Sequence, residues 1–96
     1  MYSYALLIVE DDPLCARTLS RLCRQSLGVT VICVAVEDAG EAAALGVEYL
    51  QTHRPDVVIV DGLNGLFEEV VGAAKDLQIP AIVYTGAAEK YQGRGV

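Results

Sequence analysis

Leu6-Leu7-Ile8-Val9-Glu10-Asp11-Asp12-Pro13 changes character within eight residues. Residues 5–9 form a continuous apolar run rich in branched side chains, which predicts a strand buried on both faces. Three carboxylates follow without a break. Asp12-Pro13 then supplies a helix start, with Asp12 as N-cap and Pro13 in the first turn. A fully buried strand that runs straight into a helix is the opening of a parallel α/β unit.

The rest of the chain repeats this pattern. Leu14, Cys15, Leu19, Leu22 and Cys23 recur at helical spacing to about Leu27, with Arg17, Arg21 and Arg24 on the opposite face. Gly28 ends that helix. Residues 29–36 are a second apolar run. Asp38-Ala39-Gly40-Glu41 resembles a capping box and opens a helix to about His53, closed by Pro55. Residues 57–60 read as a third strand. Gly62, Asn64 and Gly65 make a loop, and residues 66–77 a third helix. Pro80 precedes a fourth strand over 81–84, and the remainder holds one possible helical turn and the glycines of Gly93-Arg94-Gly95. The order β-α-β-α-β-α-β with short connections implies an α/β fold: a parallel sheet with helices on both faces.

Composition narrows the function. Ninety-six residues fit one domain, and an apolar share of 53% is ample for its core. A net charge of −6 argues against a nucleic-acid surface, because phosphates need Lys and Arg. No basic segment precedes an apolar one at the N-terminus, and the apolar runs are strand-length, so a cytoplasmic protein is expected. Cys15, Cys23 and Cys33 form no Cys-x-x-Cys pair and are odd in number, which favours reduced thiols in the core. His53 beside Arg54 reads as a solvated helix end, and Asp56 as a cap or surface residue.

In an open parallel sheet, sites form beyond the carboxyl ends of the strands. The first run ends in Glu10-Asp11-Asp12, the third in Asp61, the fourth in Thr85. Adjacent strands lie about 4.8 Å apart. Carboxylates brought that close repel unless a cation intervenes, and hard oxygen donors suit Mg²⁺. A carboxylate beside Mg²⁺ can attack an activated phosphoryl donor.

Three segments now carry a resemblance. Residues 6–13 look like the opening of the receiver domain of response regulators. Arg54-Pro55-Asp56-Val57-Val58-Ile59-Val60-Asp61 is similar to that family's phosphoacceptor strand. Ile79-Pro80-Ala81-Ile82-Val83-Tyr84-Thr85-Gly86 is similar to its fourth strand and the hydroxyl that follows. The segments occur in the family's order and cover nearly the whole chain. The resemblance implies a flavodoxin-like (CheY-like) doubly wound sheet of strand order 2-1-3-4, spanning residues 1–96, with the family's fifth strand and last helix missing. It implies Asp61 as phosphoacceptor and Thr85 as switch hydroxyl. Glu10, Asp11, Asp61 and the backbone carbonyl of Leu63 would hold Mg²⁺, Glu10 through water. The partner would be a sensor histidine kinase or phosphotransfer protein. Such a domain phosphorylates itself and is not a multiple-turnover enzyme.

The sequence also departs from that family. Its essential Lys, at the end of a fifth strand, has no counterpart: Lys90 lies too close to Thr85, and Lys75 falls inside the third helix. The switch aromatic of the same strand is absent. Gly62-Leu63-Asn64-Gly65 is an abrupt connection without the family's Pro. Without the last helix, apolar sheet surface and the edge of the fourth strand would be exposed. A homodimer is therefore expected, or strand or helix exchange through the incomplete edge.

Two alternatives follow. A degenerate receiver would act only as an interaction or dimerisation module; the missing Lys favours it and the intact acidic group opposes it. A Mg²⁺-dependent phosphohydrolase resembling the haloacid dehalogenases would need Asp-x-Asp, and Asp61-Gly62-Leu63 lacks the second Asp. A nucleotide-binding fold ranks below both, because no Gly-rich loop follows the first strand. The Arg17, Arg21 and Arg24 stripe reads first as a solvated face, and second as a docking surface for an acidic kinase or phosphotransfer protein.

Overall fold

The computed structural model describes residues 4–84. Four strands, β1 (Ala5–Glu10), β2 (Thr30–Ala35), β3 (Val57–Asp61) and β4 (Ala81–Tyr84), form one sheet. Three helices connect them: α1 (Pro13–Leu27), α2 (Ala39–His53) and α3 (Phe67–Asp76). Every pairing is parallel and the spatial order is β2-β1-β3-β4.

That order fixes where the helices lie. From β1 the chain steps to one side to reach β2. It then crosses back over β1 to β3 and continues the same way to β4. Right-handed crossovers that step in opposite directions place their helices on opposite faces. Hence α1 packs on one face and α2 with α3 on the other. The reversal occurs between β1 and β3, where their carboxyl ends part to leave a crevice.

The two faces bury very different amounts. On the α2–α3 side, Leu7, Val9, Leu50, Val58, Val60, Phe67 and Val70 are all buried. Gly46 brings α2 close to the sheet: a Cβ there would meet the two Val9 methyl carbons at 3.0 and 3.2 Å. On the α1 side the buried apolar cluster is smaller, built from Leu6, Ile8 and Cys23, with Leu19, Val31, Cys33, Val57 and Ile59 partly buried against it.

Local chemistry sets the ends of the elements. Asp12 caps α1, its Oδ1 accepting from the Leu14 N–H at 3.0 Å, and Gly28 closes it in the left-handed conformation at φ 64°. Asp38 caps α2 by accepting the Glu41 N–H at 2.8 Å. Arg54, at φ 47°, ends α2 just before Pro55. Asp56 does more than cap: its Oδ2 accepts the Ala5 N–H at 2.7 Å and its own N–H donates to the Ala5 carbonyl at 2.8 Å. It thereby ties the start of β1 to the approach to β3.

One expectation about α1 is corrected. Leu14, Cys15 and Leu22 lie on the apolar side of the helix, yet they are exposed, Leu14 at 67% and Leu22 at 53%. The buried residues are Ala16, Ser20 and Cys23. The helix leans over β1 and β2, so its flank toward β3 and β4 has nothing above it among the described residues. Cys15 is therefore not a core thiol; its S–H donates to Asp12 Oδ2 at 3.4 Å.

Candidate functional site

Each carboxylate of the site owes its place to a strand end. Glu10 is the last residue of β1, paired in register with Ala35 of β2. It alternates with Leu6 and Ile8 and so faces the α1 side, where only 3% of it is exposed. Asp11 follows in the turn to α1. Asp61 ends β3 opposite Tyr84 of β4. Glu10, Asp11 and Asp61 each offer an oxygen within 4.8 Å of the others. These groups thus meet at the crevice where the strand order reverses.

The chain provides hydrogen bonds but no cation to this group among the described residues. Glu10 Oε1 accepts the Asp12 N–H at 3.1 Å, and Oε2 accepts the Tyr84 hydroxyl. Asp61 Oδ2 accepts the Leu63 N–H at 3.3 Å. Burial pushes the Glu10 carboxyl up from 4.5 to about 7; the Tyr84 bond lowers it and the Asp61 charge raises it again. Burial also raises the Asp61 carboxyl, against the Leu63 and Gly62 amides that favour its charged form, and the Asp11 charge adds to the rise. The Tyr84 hydroxyl is held well above the ordinary phenol range by burial and by Glu10. Burial is the main cause of all three shifts, and the neighbouring negative charges add to it.

Leu63 has an unusual backbone. It is a leucine at φ 50°, in the first position of a short 3-10 turn (Leu63–Gly65) that leads into α3. Its side chain is 1% exposed and joins the α2–α3 core. A non-glycine residue in the left-handed region costs about 1–2 kcal/mol, which the buried side chain offsets. The conformation turns the Leu63 N–H toward Asp61, while its carbonyl accepts the Leu66 N–H at 3.0 Å. Leu63 thus meets the site first through its amide.

Of the residues expected in the site, Glu10, Asp11 and Asp61 come together, with Leu63 beside them. Thr85, the other residue expected there, lies outside the described residues, as does Lys90, which was not assigned to the site. Tyr84 was not foreseen. Its position as the last residue of β4, in register with Asp61, is the signal that would have found it. A tyrosine there is long enough to cross one strand and reach the carboxylate on the next.

The same ring borders a second feature. Leu14, Cys15, Thr18, Leu19, Leu22, Ile59 and Tyr84 enclose a groove of about 500 Å³ between α1 and the β3–β4 half of the sheet. It is almost wholly apolar. Ile82, 52% exposed, continues the surface toward the sheet edge.

No protein-family model, curated protein or solved structure matches this chain. No helix among the described residues is long and apolar enough to cross a membrane.

Proposed function

We propose that the chain is a receiver domain of a response regulator, of the flavodoxin-like (CheY-like) type, which accepts a phosphoryl group on Asp61 with Mg²⁺. The observation that carries this reading is the convergence of Glu10, Asp11 and Asp61 within 4.8 Å at the switch point of a parallel sheet. Glu10 and Asp61, whose carboxyls burial and neighbouring negative charge push toward protonation, together with Asp11 fit a site completed by a hard divalent cation. Glu10, Asp11 and Asp61 would hold the ion, which supplies positive charge for the carboxylates and for phosphoryl oxygens.

The chain's own groups perform the rest. The Leu63 amide donates to Asp61 Oδ2, leaving Oδ1 as the nucleophile. That oxygen forms a bond to phosphorus as the bond to the donor's leaving group breaks, and the leaving group departs with the electron pair. The product is an aspartyl phosphate, which one water later hydrolyses. A histidine kinase or phosphotransfer protein is the donor class. Thr85, next to Tyr84, is assigned the hydroxyl that responds to the phosphoryl group.

Incubation with Mg²⁺ and acetyl phosphate tests this. Intact-mass measurement is expected to show addition of one phosphoryl group, lost in Asp61→Asn and in the presence of a chelator. Absence of the adduct in the wild type refutes the reading.

A second reading has its own support. The apolar groove and the outer edge of β4 together form a surface that a second copy of the chain could cover. On this reading the domain acts as a dimerisation module, independently of phosphorylation. Sedimentation at increasing protein concentration separates the two: self-association unchanged in Asp61→Asn, with no phosphoryl adduct in the wild type, favours the module.

A further inference from the structure

The opposite flank of α1 carries a different surface. Arg17, Ser20, Arg21 and Arg24 from the helix, with Cys33 and Ala35 of β2, line a cleft of about 410 Å³. The arginines recur at spacings of four and three, so the helix presents them along one side. Residues 13–36 contain these three arginines and no Asp or Glu, in a chain whose net charge is −6. Among the described residues none of the three is paired with a carboxylate. Arg24 lies across β2, its Nη2 donating to the Val31 carbonyl at 3.4 Å.

Ser20 makes this more than a solvated stripe. It lines the cleft, is 4% exposed, and its Oγ has no hydrogen-bond partner. Buried hydroxyls are nearly always paired, because an unpaired one forfeits its hydration with no return. The cleft therefore has guanidinium donors along it and an unpartnered hydroxyl buried in its wall, and no carboxylate lines it. The neighbouring Cys33 thiol is already engaged, donating to the Ala16 carbonyl at 3.8 Å.

The geometry points to a binding site for a small phosphate-class anion between α1 and β2, with Arg17, Arg21 and Arg24 as charge partners and Ser20 Oγ as a donor at its floor. A phosphate accepts from several donors at once and matches the planar fork of guanidinium. A neutral ligand would leave the three cations uncompensated. The site lies on the other flank of α1 from the apolar groove and shares no residue with the acidic cluster, so it does not depend on the function proposed for Asp61.

The test uses the full chain, inorganic phosphate and Mg²⁺-free buffer, with sodium chloride at equal ionic strength as the reference. Amide resonances of Ser20, Arg21, Cys33 and Ala35 are expected to shift saturably with phosphate, with a midpoint on the order of 1 mM. Arg17→Gln/Arg21→Gln, which changes only exposed side chains, is expected to weaken binding at least about tenfold. Ser20→Ala is expected to melt higher than the wild type without phosphate and to gain less from adding it. Shifts no larger than those with chloride, or spread over the whole surface, overturn the proposal. So does a double arginine variant that binds as the wild type does, or a Ser20→Ala variant that gains as much from phosphate as the wild type.

Discussion

Replacing Glu10 by Gln should stabilise the metal-free protein at neutral and alkaline pH. The carboxyl is raised in the folded chain from 4.5 to about 7, so between those values the native state holds a proton that the unfolded state has released. Stability then falls as pH rises through this window and is at its lowest above it. A full proton is worth about 1.4 kcal/mol per pH unit, giving an upper bound of roughly 3 kcal/mol. The titration shared with Asp61 leaves about 1–2 kcal/mol of this for Glu10 alone. Asp61, also raised, acts in the same direction, so some slope survives the substitution. Glutamine fits the local bonds: its oxygen can accept the Asp12 N–H and its amide can donate to the Tyr84 hydroxyl. Urea denaturation from pH 5 to 8.5 in the presence of a chelator measures the effect. The wild type should lose stability across the range, and Glu10→Gln should lose distinctly less and be the more stable protein at pH 8. Parallel curves for the two proteins, or wild-type stability that climbs with pH, would refute the account of the acidic cluster. Saturating Mg²⁺ should flatten the wild-type curve while leaving that of Glu10→Gln less affected.

Two glycines in helices should respond in opposite directions to alanine. Gly72→Ala meets open space and should stabilise the chain by about 1 kcal/mol through helix propensity. Gly46→Ala drives a methyl group against the buried Val9 side chain, and overpacking of about 1–3 kcal/mol should outweigh the same propensity gain; thermal melts of both variants decide. Asp38→Ala removes the cap of α2 and should cost about 1 kcal/mol in urea titrations. Leu22→Glu and Ile82→Lys change half-exposed side chains. They should abolish any self-association in sedimentation experiments while leaving circular dichroism unaltered.

The sheet was legible because its strands read as unbroken apolar runs, although only β1 is buried almost throughout and β2 and β4 are half-exposed. The helices were legible from their caps, Asp12, Gly28 and Asp38, each of which acts as its residue type suggests. The strand ends were less so. Glu10 and Asp61 belong to β1 and β3, although hydropathy stops one residue short of each, because ladder pairing continues past the last apolar side chain. Leu63 could not have been foreseen at positive φ. Leucine has no local preference for it, and only the need to fill the α2–α3 core while serving Asp61 imposes it. Cys15 was misplaced because periodicity identifies an apolar flank without saying whether anything packs on it. Tyr84 was missed because its partner is 74 residues away, and nothing local marks a side chain whose bond spans two strands.

That long tie also orders events during synthesis. The N-terminal carboxylates leave the ribosome early, but the hydroxyl that joins Glu10 is the last described residue to emerge. Until then the edge strand is missing and β3 has no outer neighbour. A nascent chain that has released only its first three strands holds the acidic trio without the phenol that binds Glu10. The site is thus completed only when the strand that also closes the described sheet has emerged.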